Sequence, residues 1–383
     1  MGDTRMLLAC VLAACITTVT IVILRRLAEP LGLVDRPNDR KHHVGDVPLI
    51  GGLAMVTGLL FSAVWYGRLH HFGEMLLGTS AALTVVGALD DRHDLRVRVR
   101  LAAQIAAILT VMVTTGVYIH TLGHIFGHEL ALGWLGMPLT VVAVIGLLNA
   151  FNMMDGIDGL AGGLTLVSIA AIALFTRAAP LHGLLVLIAL LAAAVLPYLA
   201  ANLGLIGRKI FMGDAGSMVV GYLLAWTLIR LSQKSGTHLS PVDVLWCVAL
   251  PVLDTLAVMF RRLRERKSPF KPDRGHIHHI LQRAGLGSRA TLIVLIGLAA
   301  GMAFLGNLAS SLGADAGSNL AAFCILAGIY IVTVTQVWTR QEARLVATAR
   351  PLAANDPDIG GIDAVPHARI TMVQDQVRRA TAE

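Results

Sequence analysis

Three polar side chains, Asn152, Asp155 and Asp158, recur at intervals of three in the stretch Asn149-Ala-Phe-Asn-Met-Met-Asp-Gly-Ile-Asp-Gly-Leu160. On a helix this spacing puts them in one stripe. Strongly apolar runs flank the stretch. Acidic and amide groups are costly in hydrocarbon, so the stripe reads as the lining of a polar cavity at a membrane boundary. Three further clusters have the residue types of phosphate and metal chemistry. Asp90, Asp91 and Asp94 fall within one short segment, with Asp90 and Asp94 on one helical face. They suit a hard divalent ion, a base, or pairing with Arg92, Arg96 and Arg98. In Phe211-Met-Gly-Asp-Ala-Gly-Ser217, Asp214 stands between glycines just before an apolar run. There it is either a helix N-cap or a Mg²⁺ ligand beside phosphate oxygens. Phe211 is either an interfacial core residue or a face for a nucleobase. His276, His278 and His279 follow the basic loop Lys267-Ser-Pro-Phe-Lys-Pro-Asp-Arg274. With no cysteine nearby, these histidines fit donors to phosphate oxygens better than a zinc site.

The elements that position these groups must cross a bilayer. The 383-residue chain is 56% hydrophobic, with a mean hydropathy of +0.71. Apolar runs near the roughly twenty residues of a spanning helix recur along it. They lack the alternation of a membrane β-barrel. The expected fold is all-α and polytopic, with about eleven spans at 6–24, 50–66, 74–89, 101–119, 135–151, 159–176, 182–201, 216–231, 242–260, 290–308 and 319–338. The spans at 135–151 and 216–231 have the weakest signals, being short or interrupted by glycine. The first run reads as an uncleaved span, since Arg25-Arg26 follows it without a small-residue cleavage site. Residues 1–340 form a single membrane domain in this reading, and 341–383 a cytoplasmic tail expected to be disordered beyond any helical extension. Cys10, Cys15, Cys247 and Cys324 all lie in apolar runs and read as small core hydrophobes.

One set of alternate loops, with the tail, carries 26 of the 31 Lys and Arg residues. Positive charge gathers on the cytoplasmic side, which predicts the N-terminus out and the C-terminus in. The net charge of +7 thus reflects inner loops rather than nucleic-acid binding. Every cluster above falls on the inner side. Six acids, the histidines and a basic rim on one face fit an enzyme that moves phosphorylated groups at the bilayer surface. An ion-coupled transporter, the reading from another class, would place polar groups in mid-span, on both sides of the midplane.

In their order along the chain, Asp90-Asp-Arg-His-Asp94, Asn149 to Gly159, Phe211 to Ser217 and His276-Ile-His-His279 resemble the polyprenyl-phosphate N-acetylhexosamine-1-phosphate transferase family (glycosyltransferase 4). The match runs from about residue 35 to 290. Within the family, Gly45-Asp-Val-Pro-Leu-Ile-Gly-Gly52, His-Ile-His-His and the Ser268 to Arg274 lead-in are similar to the branch that uses N-acetylglucosamine rather than the muramoyl-pentapeptide branch. The resemblance implies transfer of GlcNAc-1-phosphate from UDP-GlcNAc to undecaprenyl phosphate, with release of UMP, to initiate a cell-surface glycan. A sister enzyme using another UDP-N-acetylhexosamine, or the muramoyl donor, is the nearest alternative.

The resemblance also implies roles. Asp214 matches a Mg²⁺-binding aspartate, with Mn²⁺ as the substitute ion. Asp90, Asp91 and Asp94 fall at the reaction centre. Phe211 matches an aromatic residue that packs on uracil, while Asn152, Asp155 and Asp158 match a stripe along the uridine-sugar site. Arg274, His276, His278 and His279 match the loop that meets pyrophosphate and sugar. Lys41 and His43 lie in a loop that faces the nucleotide in the muramoyl branch. The expected setting is the bacterial inner membrane, amid membrane lipid, with the active site on the cytoplasmic face. Nothing in the spans forces an oligomer, and a homodimer is the assembly the family implies. Intramembrane Asp254 is expected to hydrogen-bond Asn202 or pair with Arg261.

Overall fold

The structure, a computed structural model, describes residues 2–36, 45–67, 69–176, 183–234, 239–268 and 275–354. Each of the eleven apolar runs coincides with helix. They form α1 (Gly2–Leu27), α2 (Gly51–Tyr66), α3 (His71–His93), α4 (Val97–Thr115), α5 (Gly136–Met154), α6 (Leu160–Phe175), α7 (Leu184–Asn202) and α8 (Asp214–Ser232). They continue with the broken pair α9 (Asp243–Cys247) and α10 (Ala249–Arg264), then α12 (Ser288–Ser311) and α13 (Ala316–Ala354), with the short α11 (Ile277–Arg283) before α12. Among the described residues eight helices are long and apolar enough to cross a bilayer, and α2 and α6 are shorter apolar helices. The chain is therefore a polytopic helical membrane protein. Its only described strands are two small antiparallel pairs, β1 (Val34–Asp35) with β2 (Val47–Pro48), and β3 (Thr121–Ile125) with β4 (His128–Ala131).

The core is built around α8, whose span is 89% buried. It packs against α2, α3, α5, α6, α7 and α9. Small residues let the helix backbones meet. A side chain on Gly52 would strike the α8 backbone at Gly216, and one on Gly87 would strike it at Ala215. The glycines that weaken the 216–231 signal are thus packing surfaces. Farther along α8, the buried Tyr222 hydroxyl donates to Thr79 Oγ1 at 2.9 Å. Of the four cysteines only Cys247 is buried; Cys15 and Cys324 are exposed, because outward helix faces meet lipid and need no protein partner.

The connections separate into two ends, as alternation requires. At one end Gln233 holds the β3–β4 hairpin by accepting the His120 and Thr121 N–H groups (2.9 and 3.1 Å). Asp243 there ties α9 to Ser310 and Asn319 (2.8 and 2.9 Å). All the chemistry-bearing loops with described contacts meet at the other end. There the segment 47–52 is clamped between two others. Leu49 N–H donates to Leu33 O, Phe211 N–H to Pro48 O, and Gly51 and Gly52 N–H to Phe211 and Met212 O.

Candidate active site

Three carboxylates gather at the N-terminus of α8, brought there by its crossing with α3. Gly213, at φ +71°, caps the helix but has no side chain to satisfy its first N–H groups. Asp91 supplies the acceptors from α3, with Oδ1 on Asp214 N–H at 2.8 Å and Oδ2 on Ala215 N–H at 3.3 Å. A carboxylate at this position also meets the positive end of the helix dipole. A Cβ on Gly213 would collide with that carboxylate, so glycine is required by both conformation and space.

Asp90, 5% exposed, is engaged at both oxygens. Leu95 N–H donates to Oδ1 at 2.7 Å, and Arg100 Nη1 donates to Oδ2 at 2.6 Å. The same guanidinium nitrogen reaches Asp214 Oδ2 at 3.2 Å. Two carboxylates therefore converge on one cationic group, the arrangement a hard divalent ion needs. Among the described residues no cluster of three or more His, Cys, Asp or Glu forms a closed metal cage. Asp90 and Asp214 are the carboxylates that would hold Mg²⁺, which takes one or two protein carboxylates and completes its shell with substrate phosphates and water. Asp94 lies at the rim of this centre, exposed and at φ +50°, where its N–H closes α3 on Asp90 O and its charge acts on Arg100.

The 152–158 stretch differs from a continuous helical stripe. α5 ends at Met154, Asp155 caps it, and Gly159 turns the chain at φ +80° into α6. Asn152 stays on α5 and accepts the Ser217 hydroxyl of α8 at 2.8 Å. Asp158 lies 2.5 Å from Lys209 Nζ, and that ammonium sits 5.0 Å from the centre of the Phe211 ring. An acid, a cation and an aromatic face thus adjoin. Asn202 locks the two loops together, accepting Gly159 N–H at 2.6 Å and donating to Ile210 O at 2.8 Å.

Burial, with repulsion from Asp91 and Asp158, pushes the Asp155 carboxyl up to about 7. The unfolded value is near 3.9, so between about pH 4 and 7 the folded protein holds a proton that the unfolded chain releases. This contribution to stability is complete below about pH 4 and is lost as pH rises through 7. The thermal midpoint in detergent should therefore decline from about pH 5 to 8, and Asp155→Asn should flatten the decline. A variant curve parallel to wild type would contradict the assignment.

The histidine loop is fastened from beneath by Asp254, which is fully buried. Asp254 Oδ2 lies 2.7 Å from His276 Nδ1, while Oδ1 accepts Ile277 N–H at 2.9 Å and the Tyr330 hydroxyl at 3.2 Å. The partners expected from sequence, Asn202 and Arg261, are engaged elsewhere; Arg261 Nη1 donates to Gly275 O at 3.1 Å. His278 is 1% exposed, stacked 5.9 Å from His276 and close under Gly156. Burial, helped by His279 and His276, pushes its pKa down to about 2, so its imidazole is neutral. The half-buried His279 packs on it at 4.1 Å. Lys41, His43 and Arg274 lie outside the described residues.

Two site cations were absent from the residues singled out by sequence. Arg100 carries a signal, the last of the arginines Arg96, Arg98 and Arg100 that open α4 before its apolar run. Lys209 stands two residues before Phe211, on the same side if the chain is extended.

Residues 74–232 match the sequence model of glycosyl transferase family 4. The chain is 42% identical over 299 residues to the undecaprenyl-phosphate alpha-N-acetylglucosaminyl 1-phosphate transferase of Escherichia coli (strain K12), covering 76% of this chain and 81% of that one. The protein of the same name from Salmonella typhimurium is 43% identical over 296 residues, with 76% and 80% covered. That from Haemophilus influenzae is 38% identical over 341 residues, 87% of this chain and 96% of its own.

Proposed function

The chain belongs to glycosyl transferase family 4, and we propose that it transfers GlcNAc-1-phosphate from UDP-GlcNAc to undecaprenyl phosphate, releasing UMP. One observation carries this reading. Asp90 and Asp214 converge on Arg100 at a helix N-terminus, beside the Asp158–Lys209–Phe211 group. The first set suits a metal and a diphosphate, and the second suits a base and ribose. We assign the site to the cytoplasmic face of a bacterial inner membrane, where the product would initiate a surface glycan.

In this reaction an oxygen of the lipid phosphate attacks the β-phosphorus of UDP-GlcNAc. The new P–O bond forms as the bond from that phosphorus to the bridging oxygen breaks, and the electron pair leaves with UMP. A phosphate monoester has a second pKa near 6 and is largely dianionic at neutral pH, so no strong base is needed. Asp90 suits positioning, since both its oxygens already accept hydrogen bonds. Arg100 offsets charge on the carboxylates and, when they are otherwise neutralised, on phosphate oxygens. A Mg²⁺ ion held by Asp214 and Asp90 would offset charge developing on the diphosphate. Asn152 and Asp158 line the nucleotide-sugar, and Phe211 offers a face to uracil.

The reading is tested with radiolabelled UDP-GlcNAc, undecaprenyl phosphate and the purified protein. Label should enter the lipid phase with stoichiometric UMP, and chelation of divalent ions should stop it. Label that stays in water would overturn the proposal, and transfer only from another UDP-N-acetylhexosamine would select the sister reaction. Lys209→Ala leaves Asp158 unpaired beside the nucleoside, and should raise KM for UDP-GlcNAc about tenfold, the loss of roughly 1.4 kcal/mol. Asn152→Ala should act in the same direction. A rise confined to the lipid KM would show the group to be misassigned.

A further inference from the structure

A second cluster of cations lies away from the reaction centre. A cavity of about 600 Å³ opens between the ends of α10 and α13, lined by Arg261, Arg264, Glu265, Thr335, Thr339 and Arg340 among others. Arg261 is 3% exposed, fixed by Gly275 O at 3.1 Å and by the Trp338 ring 4.4 Å beneath it. Arg283 approaches the same ring at 4.5 Å, so Trp338 anchors α10 and α11 to α13. Arg264 and Arg340 are exposed and have no carboxylate partner among the described residues. The lining's carboxylate, Glu265, is already 2.6 Å from Lys267 Nζ. Thr335 is 9% exposed, and its hydroxyl oxygen is buried without a hydrogen-bond partner.

We propose that this cavity binds the phosphate of an anionic phospholipid headgroup. The exposed guanidiniums of Arg264 and Arg340, beside a carboxylate that is already paired, repel one another, and an anion between them offsets that cost. Guanidinium forks match the two free oxygens of a phosphodiester. Basic pockets between spanning helices are suited to such headgroups. Depth favours a lipid over free phosphate. Arg340 lies near the end of the spanning part of α13, Ala316–Arg344, and the arginines of α10 fill its last turn. Along the same exposed faces, Leu256 and Phe260 on α10 and Ile329 and Val332 on α13 precede the arginines at helical spacing. They give acyl chains an apolar strip below the headgroup. The described packing of α13 is on α9 to α12 and β3, whereas Asp90, Arg100 and Asp214 belong to α3, α4 and α8. The site is thus distinct from the reaction centre and the inference does not depend on the transfer reaction.

The test uses the full chain in mixed micelles. Bound lipid is counted by native mass spectrometry with phosphatidylglycerol or phosphatidylcholine supplied, beside arms with inorganic phosphate and undecaprenyl phosphate. Wild type should retain phosphatidylglycerol selectively. R264Q/R340Q should bind it about thirtyfold more weakly, at roughly 1 kcal/mol per arginine, with KM for both substrates unchanged. Thr335→Val, a milder change, should weaken binding without lowering the melting temperature, since the hydroxyl it removes has no hydrogen-bond partner. Retained selectivity in both variants would overturn the proposal. Equal occupancy by inorganic phosphate, or a raised acceptor KM in the double variant, would also overturn it, by making the site one for free phosphate or for the acceptor.

Discussion

Asp214→Asn is expected to abolish transfer, by about a thousandfold or more in kcat, at any Mg²⁺ concentration. The substitution keeps the shape of the site. The amide oxygen can still accept from Arg100, now 3.2 Å from Asp214 Oδ2. The α8 N-terminus keeps its cap, because the acceptors for its first N–H groups come from Asp91. The close crossings at Gly52, Gly87 and Gly216 are untouched. What disappears is one negative charge at the point where two carboxylates converge. The initial rate with radiolabelled UDP-GlcNAc reads the loss, and size-exclusion profiles with melting temperatures near wild type show that the protein still inserts and folds. Near-normal turnover in that variant would sink the assignment of Asp214 to the metal. Asp91→Asn should differ in kind, since an amide accepts only one of the two helix N–H groups. That variant lowers stability as well as rate.

What could be read from sequence depended on the range of the interaction. Hydropathy is a local sum, and each expected span coincides with helix because twenty apolar residues have few other solutions in a bilayer. The two spans with the weakest signals, 135–151 and 216–231, are equally real, and the second is the hub of the core. Its glycines lower hydropathy while enabling contact, so one residue type carried both signals. Loop alternation grouped the acids, and the structure joins Asp91 with Asp214 and Asp90 with Asp214 through Arg100. Spacing failed where backbone chemistry intervened. Asn152, Asp155 and Asp158 do not share one helix, because the glycines after Met154 end it. Partner choice at Asp254 was not legible either. Its partners lie 22, 23 and 76 residues away; the return of the chain into α11 brings His276 and Ile277 to it, and the packing of α10 against α13 brings Tyr330.

Asp254→Ala should be the most destabilising single change at the site, and should lower transfer without touching substrate. Asp254 is fully buried, and three donors depend on it: His276 Nδ1–H, Ile277 N–H and the Tyr330 hydroxyl. A carboxylate there can only accept, so it fixes the tautomer of His276 with the proton on Nδ1. Removing it leaves three donors unsatisfied, two of them buried, a loss of about 3–5 kcal/mol, and unfastens the loop that carries His278 and His279. Asp254→Asn separates the two consequences. Its amide oxygen still accepts from Ile277 and Tyr330, so much of the stability should return. Its NH₂ group then faces His276 Nδ1 and demands the opposite tautomer. Melting temperature should thus recover more than the transfer rate does. If both recover together, the loop's position alone matters. If neither falls in the alanine variant, Asp254 does not hold the loop in solution.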